Sequence, residues 1–406
     1  MSGSTTTPTA HRTTTLLPDP APAERSFTLI SVDDHLIEPR HLFEGRMPEA
    51  LAERAPRVVE IEGNEAWSFE GRLYPQVGLN AVAGRPKDEW SMEPARFDEM
   101  RKGCWDADAR VADMDLDGVY ASVCFPSLIA GFAGTVFSGI DDQDLGLACV
   151  RAWNDWHAEE WSGRHPARLI GNQIPWLNDP QVAAEEVRRN AERGFKALSF
   201  PENPVDLGLP SVHTDHWDPV LHACEETRTV VCLHNASSSW TAARSPGAPL
   251  ELYTTLFPVN AMVAAADWLW AGIPTRFPEL DVAFSEGGIG WVPMLIDRID
   301  YVLDHSATGG GAWREAGVSP TEALRRNFWF CTIDLSSTIA LRDHIGIDHI
   351  MMETDYPHAD STWPETQERA RAGLADMTDD EIRKLTWQNA SKLFRHEVPP
   401  DLRVPT

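Results

Sequence analysis

Eight apolar runs recur along the chain, each bounded by turn signals and most separated from the next by a segment of helical pattern. They are Phe27–His35, Gly118–Pro126, Arg168–Asn178, Phe195–Pro201, Arg228–Asn235, Leu280–Glu286, Phe328–Leu335 and His349–Asp355. The runs are nearly continuous in apolar residues and do not alternate, which is what parallel strands buried on both faces require. Between them, DPQVAAEEVRRNAERG (Asp179–Gly194) has an Asp-Pro start, an Ala/Glu/Arg body and a Gly stop. HWDPVLHACEETR, VPMLIDRIDYVL and SSTIALRDHIG repeat the theme. Eight β/α units predict a (β/α)8 TIM barrel. A doubly wound open sheet satisfies the same strand count.

Four segments lie outside that repeat. Leu36–Arg110 is too long for an ordinary connection and is charged and Trp- and Pro-containing, so it is expected to be a lid over one barrel end or an interface between subunits. Ala236–Asn260 is a long polar loop after the fifth strand, and Asp379–Arg395 has the pattern of an amphipathic helix packed outside the barrel. Residues 1–25 are rich in Ser, Thr and Pro and are expected to be a disordered lead-in to one domain spanning 26–406.

The balance of 35 Lys and Arg against 62 Asp and Glu, a net charge of -27, argues against a nucleic-acid partner. No stretch has the apolar length of a membrane span or of a signal-peptide core. The six cysteines show no CxxC pairing, the pattern of reduced, buried thiols in a cytoplasmic protein.

Such barrels build their active sites at the C-terminal ends of the strands. Here the first strand ends Asp33-Asp34-His35, the fifth ends with His234, the sixth with Ser285-Glu286 and the eighth with Asp355. Side chains alternate along a strand, so Asp33 and His35 share a face with Asp34 opposite. An Asp/His pair, a second His and a distant Asp make a plausible ligand set for a divalent metal, Zn²⁺ first and Mn²⁺ as the alternative. Each has a plainer reading: His234 as a hydrogen-bonded rim histidine, Asp34 and Asp355 as turn residues. Several charged or imidazole groups at one barrel end favour the metal, because burying them unpaired costs several kcal/mol.

Taken together, SVDDHLIEP (Ser31–Pro39), RVADMDLDGVYASVCFPS (Arg110–Ser127), CLHN (Cys232–Asn235), SEGGIGWVPMLIDRID (Ser285–Asp300), ETDYPH (Glu353–His358) and WQNASKLF (Trp387–Phe394) resemble the amidohydrolase-related metal enzymes of the aminocarboxymuconate-semialdehyde decarboxylase type. The resemblance runs from the first strand to the last helix. It implies that Asp33 and His35 are the first-strand metal pair, that His234 and Asp355 complete the set around one ion, and that Asp355 can also handle a proton. The first-strand pair departs from His-x-His, and Glu286 stands where the family has a catalytic histidine. A carboxyl there could serve as general acid or base, or sit in a salt bridge at the rim. Lys196, near the start of the fourth strand, is expected to be solvated or structural, unlike the bridging lysine of binuclear relatives.

The resemblance leaves two chemistries open. Attack on a carbonyl-type bond is expected first, since the histidine is missing, with decarboxylation of a small carboxylic acid close behind. A barrel that binds a metal or ligand without turnover is the third reading. Trp176, Trp240 and Trp291 are candidates to line the pocket and His358 to contact substrate. Arg40, Arg72, Arg85 and Arg298 are candidates to hold a substrate carboxylate. The family often forms dimers.

Overall fold

In the computed structural model, residues 15–404 are described apart from 94, 244, 308–309 and 334–336. The expected barrel forms. Its strands are β1 (Ile30–Leu36), β5 (Ala121–Pro126), a third strand broken into β6 (Leu169–Ile170) and β7 (Asn172–Gln173), β8 (Ala197–Phe200), β9 (Val230–His234), β10 (Val282–Ser285), β11 (Phe328–Thr332) and β12 (Ile350–Met352). All are parallel, in the order β1-β5-β6 and then β7-β8-β9-β10-β11-β12. The circle closes where the segment after β12 returns to β1: Asp355 N–H donates to Asp33 O at 2.9 Å and His35 N–H to Tyr356 O at 2.7 Å. The seventh strand was expected to reach Leu335; Asp334 and Leu335 lie outside the described residues.

Helices cover the outside, and their ends follow local chemistry. Asp179 caps Pro180–Glu192 by accepting from the N–H groups of Gln181 and Val182, with Pro180 in the first turn. Outward strand residues such as Val231, Leu233, Phe284 and Phe330 pack against these helices. Inward residues Ile30, Val32, Val123, Cys232, Ala283, Trp329 and Met351 fill the barrel.

The C-terminal segment corrects one expectation. Asp379–Arg383 and Asn389–Leu393, joined by a wider π turn over Lys384–Gln388, do not merely lie outside the barrel. Ala390, Leu393, Phe394 and Val398 belong to the cluster that fills the barrel interior. Asn389 Nδ2 donates to the carbonyls of Ile347 and Ile350, at the start of β12. The segment therefore closes the N-terminal mouth, and its apolar face is used on the barrel floor.

The insertion after β1 carries an antiparallel meander, β2 (Arg57–Ile61), β3 (Asn64–Phe69) and β4 (Arg72–Pro75). Residues 1–14 of the expected lead-in lie outside the described residues. Residues 15–25 have no regular structure but are attached: Leu17 N–H donates to Gly84 O, Ala23 N–H to Leu116 O, and Asp19 pairs with Arg101 at 2.9 Å. All six cysteines are free and buried. Among the described residues, no helix is long and apolar enough to cross a membrane.

Candidate metal and active site

The first strand does not keep strict alternation. Its register against β5 shifts between Ser31 and Asp34, a bulge that adds one residue to β1. Ile30 and Val32 face the barrel interior, and after the bulge Asp33 and His35 approach the same centre. An apolar floor and two polar ligand groups thus come from one strand.

Asp33, His35, His234 and Asp355 converge from three strand ends. His35 Nε2 lies 3.1 Å from His234 Nε2, 3.7 Å from Asp33 Oδ1 and 3.3 Å from Asp355 Oδ1. His234 Nε2 is 3.6 Å from Asp33 Oδ1. All four residues are at most 2% exposed. His234 Nδ1 donates to the Asn235 carbonyl at 2.8 Å, which leaves the Nε2 lone pair facing the cluster. Both carboxylate oxygens of Asp33 and both of Asp355 lack a hydrogen-bond partner. Buried carboxylates are normally satisfied, and a cation between these groups would satisfy them.

Asp34 is the opposite case. Its carboxylate accepts from Ser31 Oγ (3.0 Å), Ser122 Oγ, Thr354 Oγ1 (2.6 Å) and Tyr356 N–H (3.0 Å). It ties β1 to β5 and to the loop carrying Asp355.

Glu286 and Asp355 have left-handed backbones, φ 56° and 54°. Such φ is uncommon away from glycine and gathers at functional sites. Here it turns the chain just past β10 and β12. Glu286 Oε2 reaches within 3.6 Å of His234 Nε2. Beneath it, buried Glu353 accepts from Glu286 N–H at 3.1 Å and from the Cys331 thiol. Sequence reasoning noted Glu353 without assigning it; its inward position two residues before Asp355 was the available signal. His358 stacks on His35, ring centroids 3.8 Å apart, with Nδ1 3.1 Å from Asp355 Oδ1.

Burial dominates the titration of these groups. It raises the carboxyls of Asp33 and Asp355 well above the usual range, and neighbouring carboxylates raise them further. Glu286 is raised by burial and then by Asp360 and Glu353, while Glu353 is pushed up to about 7. Burial lowers His35, takes His234 down to about 3 and His358 to about 4. The imidazoles are therefore neutral, the form a metal needs.

A cavity of about 410 Å³ opens over His234, Glu286, His358 and Asp360. Its other walls come from the insertion (Val77, Leu79, Asn80, Met92), from Phe132 after β5, and from Leu250, Glu251, Thr254 and Phe257 after β9. Sequence reasoning missed these residues because they lie in separate connections between strands that only the tertiary fold brings together. Phe132 stacks on the His234 ring at 4.5 Å.

Two aromatic candidates need correction. Trp176 is buried in the core formed with Phe137 and the Gln143–Trp156 helix. Trp291 packs edge-on against Phe284 and Phe330, outward residues of the barrel wall, and its Nε1 donates to Gly287 O at 2.9 Å. It therefore braces the turn after Glu286 and does not line the cavity. Trp240 and the arginines Arg40, Arg72, Arg85 and Arg298 do not line it either; Arg40 pairs with Glu65, and Arg298 lies over Tyr301. Among the described residues no Lys or Arg lines the cavity. Lys196 precedes β8, at the end of the strand away from the cluster.

An eight-stranded barrel with a ligand cluster and a cavity at the C-terminal strand ends defines a barrel enzyme. The chain belongs to the amidohydrolase family, which matches residues 40–396. It is similar to the 2-amino-3-carboxymuconate-6-semialdehyde decarboxylase of Dictyostelium discoideum, 25% identical over 64% of this chain and 69% of that protein. An amidohydrolase from Mycobacterium avium subsp. paratuberculosis K-10 superimposes with a TM-score of 0.73, at 24% identity over 91% of this chain and 100% of that one. The 5-carboxyvanillate decarboxylase of Novosphingobium aromaticivorans, crystallised with manganese and 3-methoxy-4-hydroxy-5-nitrobenzoic acid, gives 0.63 at 18% identity over 93% and 100%. Family membership removes the expectation of a barrel without turnover: this is an enzyme.

Proposed function

We propose that this enzyme is a metal-dependent decarboxylase of a small aromatic carboxylic acid, using one divalent ion held by Asp33, His35, His234 and Asp355. The observation that carries the reading is the grouping of Asp33, His35 and His234, with Asp355 joined to it through His35 at 3.3 Å and with unpartnered carboxylate oxygens, at the base of a largely apolar cavity. Their donor atoms, where close, are 3.1–3.7 Å apart. An ion with bonds of about 2.1 Å needs donors roughly 3.0–3.4 Å apart, so the residues fit. Two carboxylates with two imidazoles suit manganese as well as zinc, and the manganese-bound relative favours manganese. When bound, the ion would supply Lewis acidity toward the substrate's carboxylate and adjoining oxygen.

The chain's own groups supply the rest. Phe132, Leu79, Val77 and Phe257 enclose an aromatic ring and keep water from it. The insertion 36–110 serves as the lid, since it contributes four of the lining residues. Glu286, at the position of the family's histidine, holds the proton that replaces the carboxyl group on the ring carbon; Asp355 is the second proton-handling group. His358 contacts substrate from beside Asp355. The order expected from the sequence is thus reversed, because the Dictyostelium and Novosphingobium relatives are decarboxylases, while hydrolysis has support only from the general amidohydrolase description of the family and of the Mycobacterium structure.

The test is to load the protein with manganese and offer hydroxylated benzoic acids beside esters, amides and lactones. Carbon dioxide release from the acids is expected. His234→Ala should hold well below one equivalent of metal at the cluster. Glu286→Gln should keep the metal but lose turnover by about 10²-fold or more. Turnover of the esters, amides or lactones alone would restore the hydrolytic reading.

A further inference from the structure

Asp355 stands between two groups. It touches the Asp33, His35 and His234 cluster through His35, and it belongs to a second group, Glu286, Asp355, His358 and Asp360, whose ligand atoms all lie within 4.8 Å of one another. The second group lies toward the cavity, where Glu286, His358 and Asp360 are lining residues and Asp360 is exposed at the mouth. We propose that Asp355, His358 and Asp360 form a second divalent-cation site that shares Asp355 with the first. This goes beyond the reading above, which needs only one ion.

Charge is the first argument. Three carboxylates stand together here, Glu353 lies close beneath, and no Lys or Arg among the described residues lines this cavity. A divalent ion on the first cluster balances Asp33 and Asp355, Glu286 holds a proton, and Asp360 is left without a cation.

The second argument is burial without partners. Asp355 is 2% exposed, neither of its carboxylate oxygens has a hydrogen-bond partner, and its Oδ1 stands between the two groups, 3.3 Å from His35 Nε2 and 3.1 Å from His358 Nδ1. His358 uses Nδ1 toward Asp355, and its Nε2 also lacks a partner. Two carboxylates and one imidazole, with water filling the remaining positions, are the sort of set Mn²⁺ or Mg²⁺ accepts. Glu286 then stands beside the second ion as the proton-handling group and is not required as its ligand.

Because Asp360 is exposed, the second ion exchanges more readily than the first, and it is lost on chelation before the first. The test is manganese titration of the full chain, read by elemental analysis and by electron paramagnetic resonance. Two equivalents with a spin-coupled signal are expected in the parent protein. Asp360→Ala should hold one, with the coupled signal replaced by that of an isolated ion, and Asp360→Asn should weaken the second step at least tenfold. A parent protein that takes up one equivalent overturns the second site and leaves the proposed function standing. Two equivalents retained in Asp360→Ala also overturn it, by putting the second ion elsewhere. No uptake at all overturns both readings.

Discussion

Asp33 and Asp34 are adjacent, chemically identical and equally buried, yet their surroundings are opposite. The Asp34 carboxylate accepts four hydrogen bonds from three segments, whereas the Asp33 carboxylate accepts none. Removing Asp34 strands several buried donors, so Asp34→Ala should destabilise the protein by about 3–5 kcal/mol. Asp33→Ala removes a buried carboxylate with no partner. In metal-free protein it should leave the melting temperature unchanged or raise it, while lowering metal content. Thermal unfolding with and without chelator, beside elemental analysis, checks both. Equal stability losses in the two variants would mean that Asp33 has a structural partner after all. Because Asp34 also holds the loop of Asp355 through Thr354 and Tyr356, its loss should weaken metal binding indirectly. Facing away from the pair of Asp33 and His35, as the sequence implied, does not make Asp34 dispensable to the metal.

Among elements, the two barrel ends are handled differently. At the C-terminal end, the β1 bulge and the left-handed turns at Glu286 and Asp355 aim polar groups inward. At the N-terminal end, the last helical segment seals the floor with Leu393 and Phe394. Phe394 is fully buried, so Phe394→Ala should cost about 3–5 kcal/mol. Chemical denaturation measures this, and a loss under 1 kcal/mol would show that the segment is only laid against the barrel. The eight strands were legible because two-sided burial writes itself as continuous apolar runs. The break at Gly171 in the third strand and the β1 bulge were not, since both depend on pairing with neighbouring strands.

For the whole molecule, the cavity is a joint product of the barrel, the insertion and the loop after β9. Leu79 from the insertion lines it without belonging to the metal cluster. Leu79→Trp should therefore leave metal content and fold unchanged while weakening binding of an aromatic acid by tenfold or more. Calorimetry on the metal-loaded protein decides this; unchanged affinity would place the ligand away from the insertion and reopen its role as a subunit interface.

The sequence by itself determined the barrel and the kinds of residue at its strand ends. Strand burial and the placing of Asp33, His35, His234 and Asp355 at C-terminal ends are local properties, readable from composition and period. Tertiary structure alone decided which aspartate stayed unpartnered, that Trp176 and Trp291 pack away from the cavity, and which loop residues wall it. Those outcomes depend on segments distant along the chain coming together, as Asp34 and Thr354 do in a hydrogen bond and Leu79 and His234 do in lining one cavity, and no local pattern encodes them.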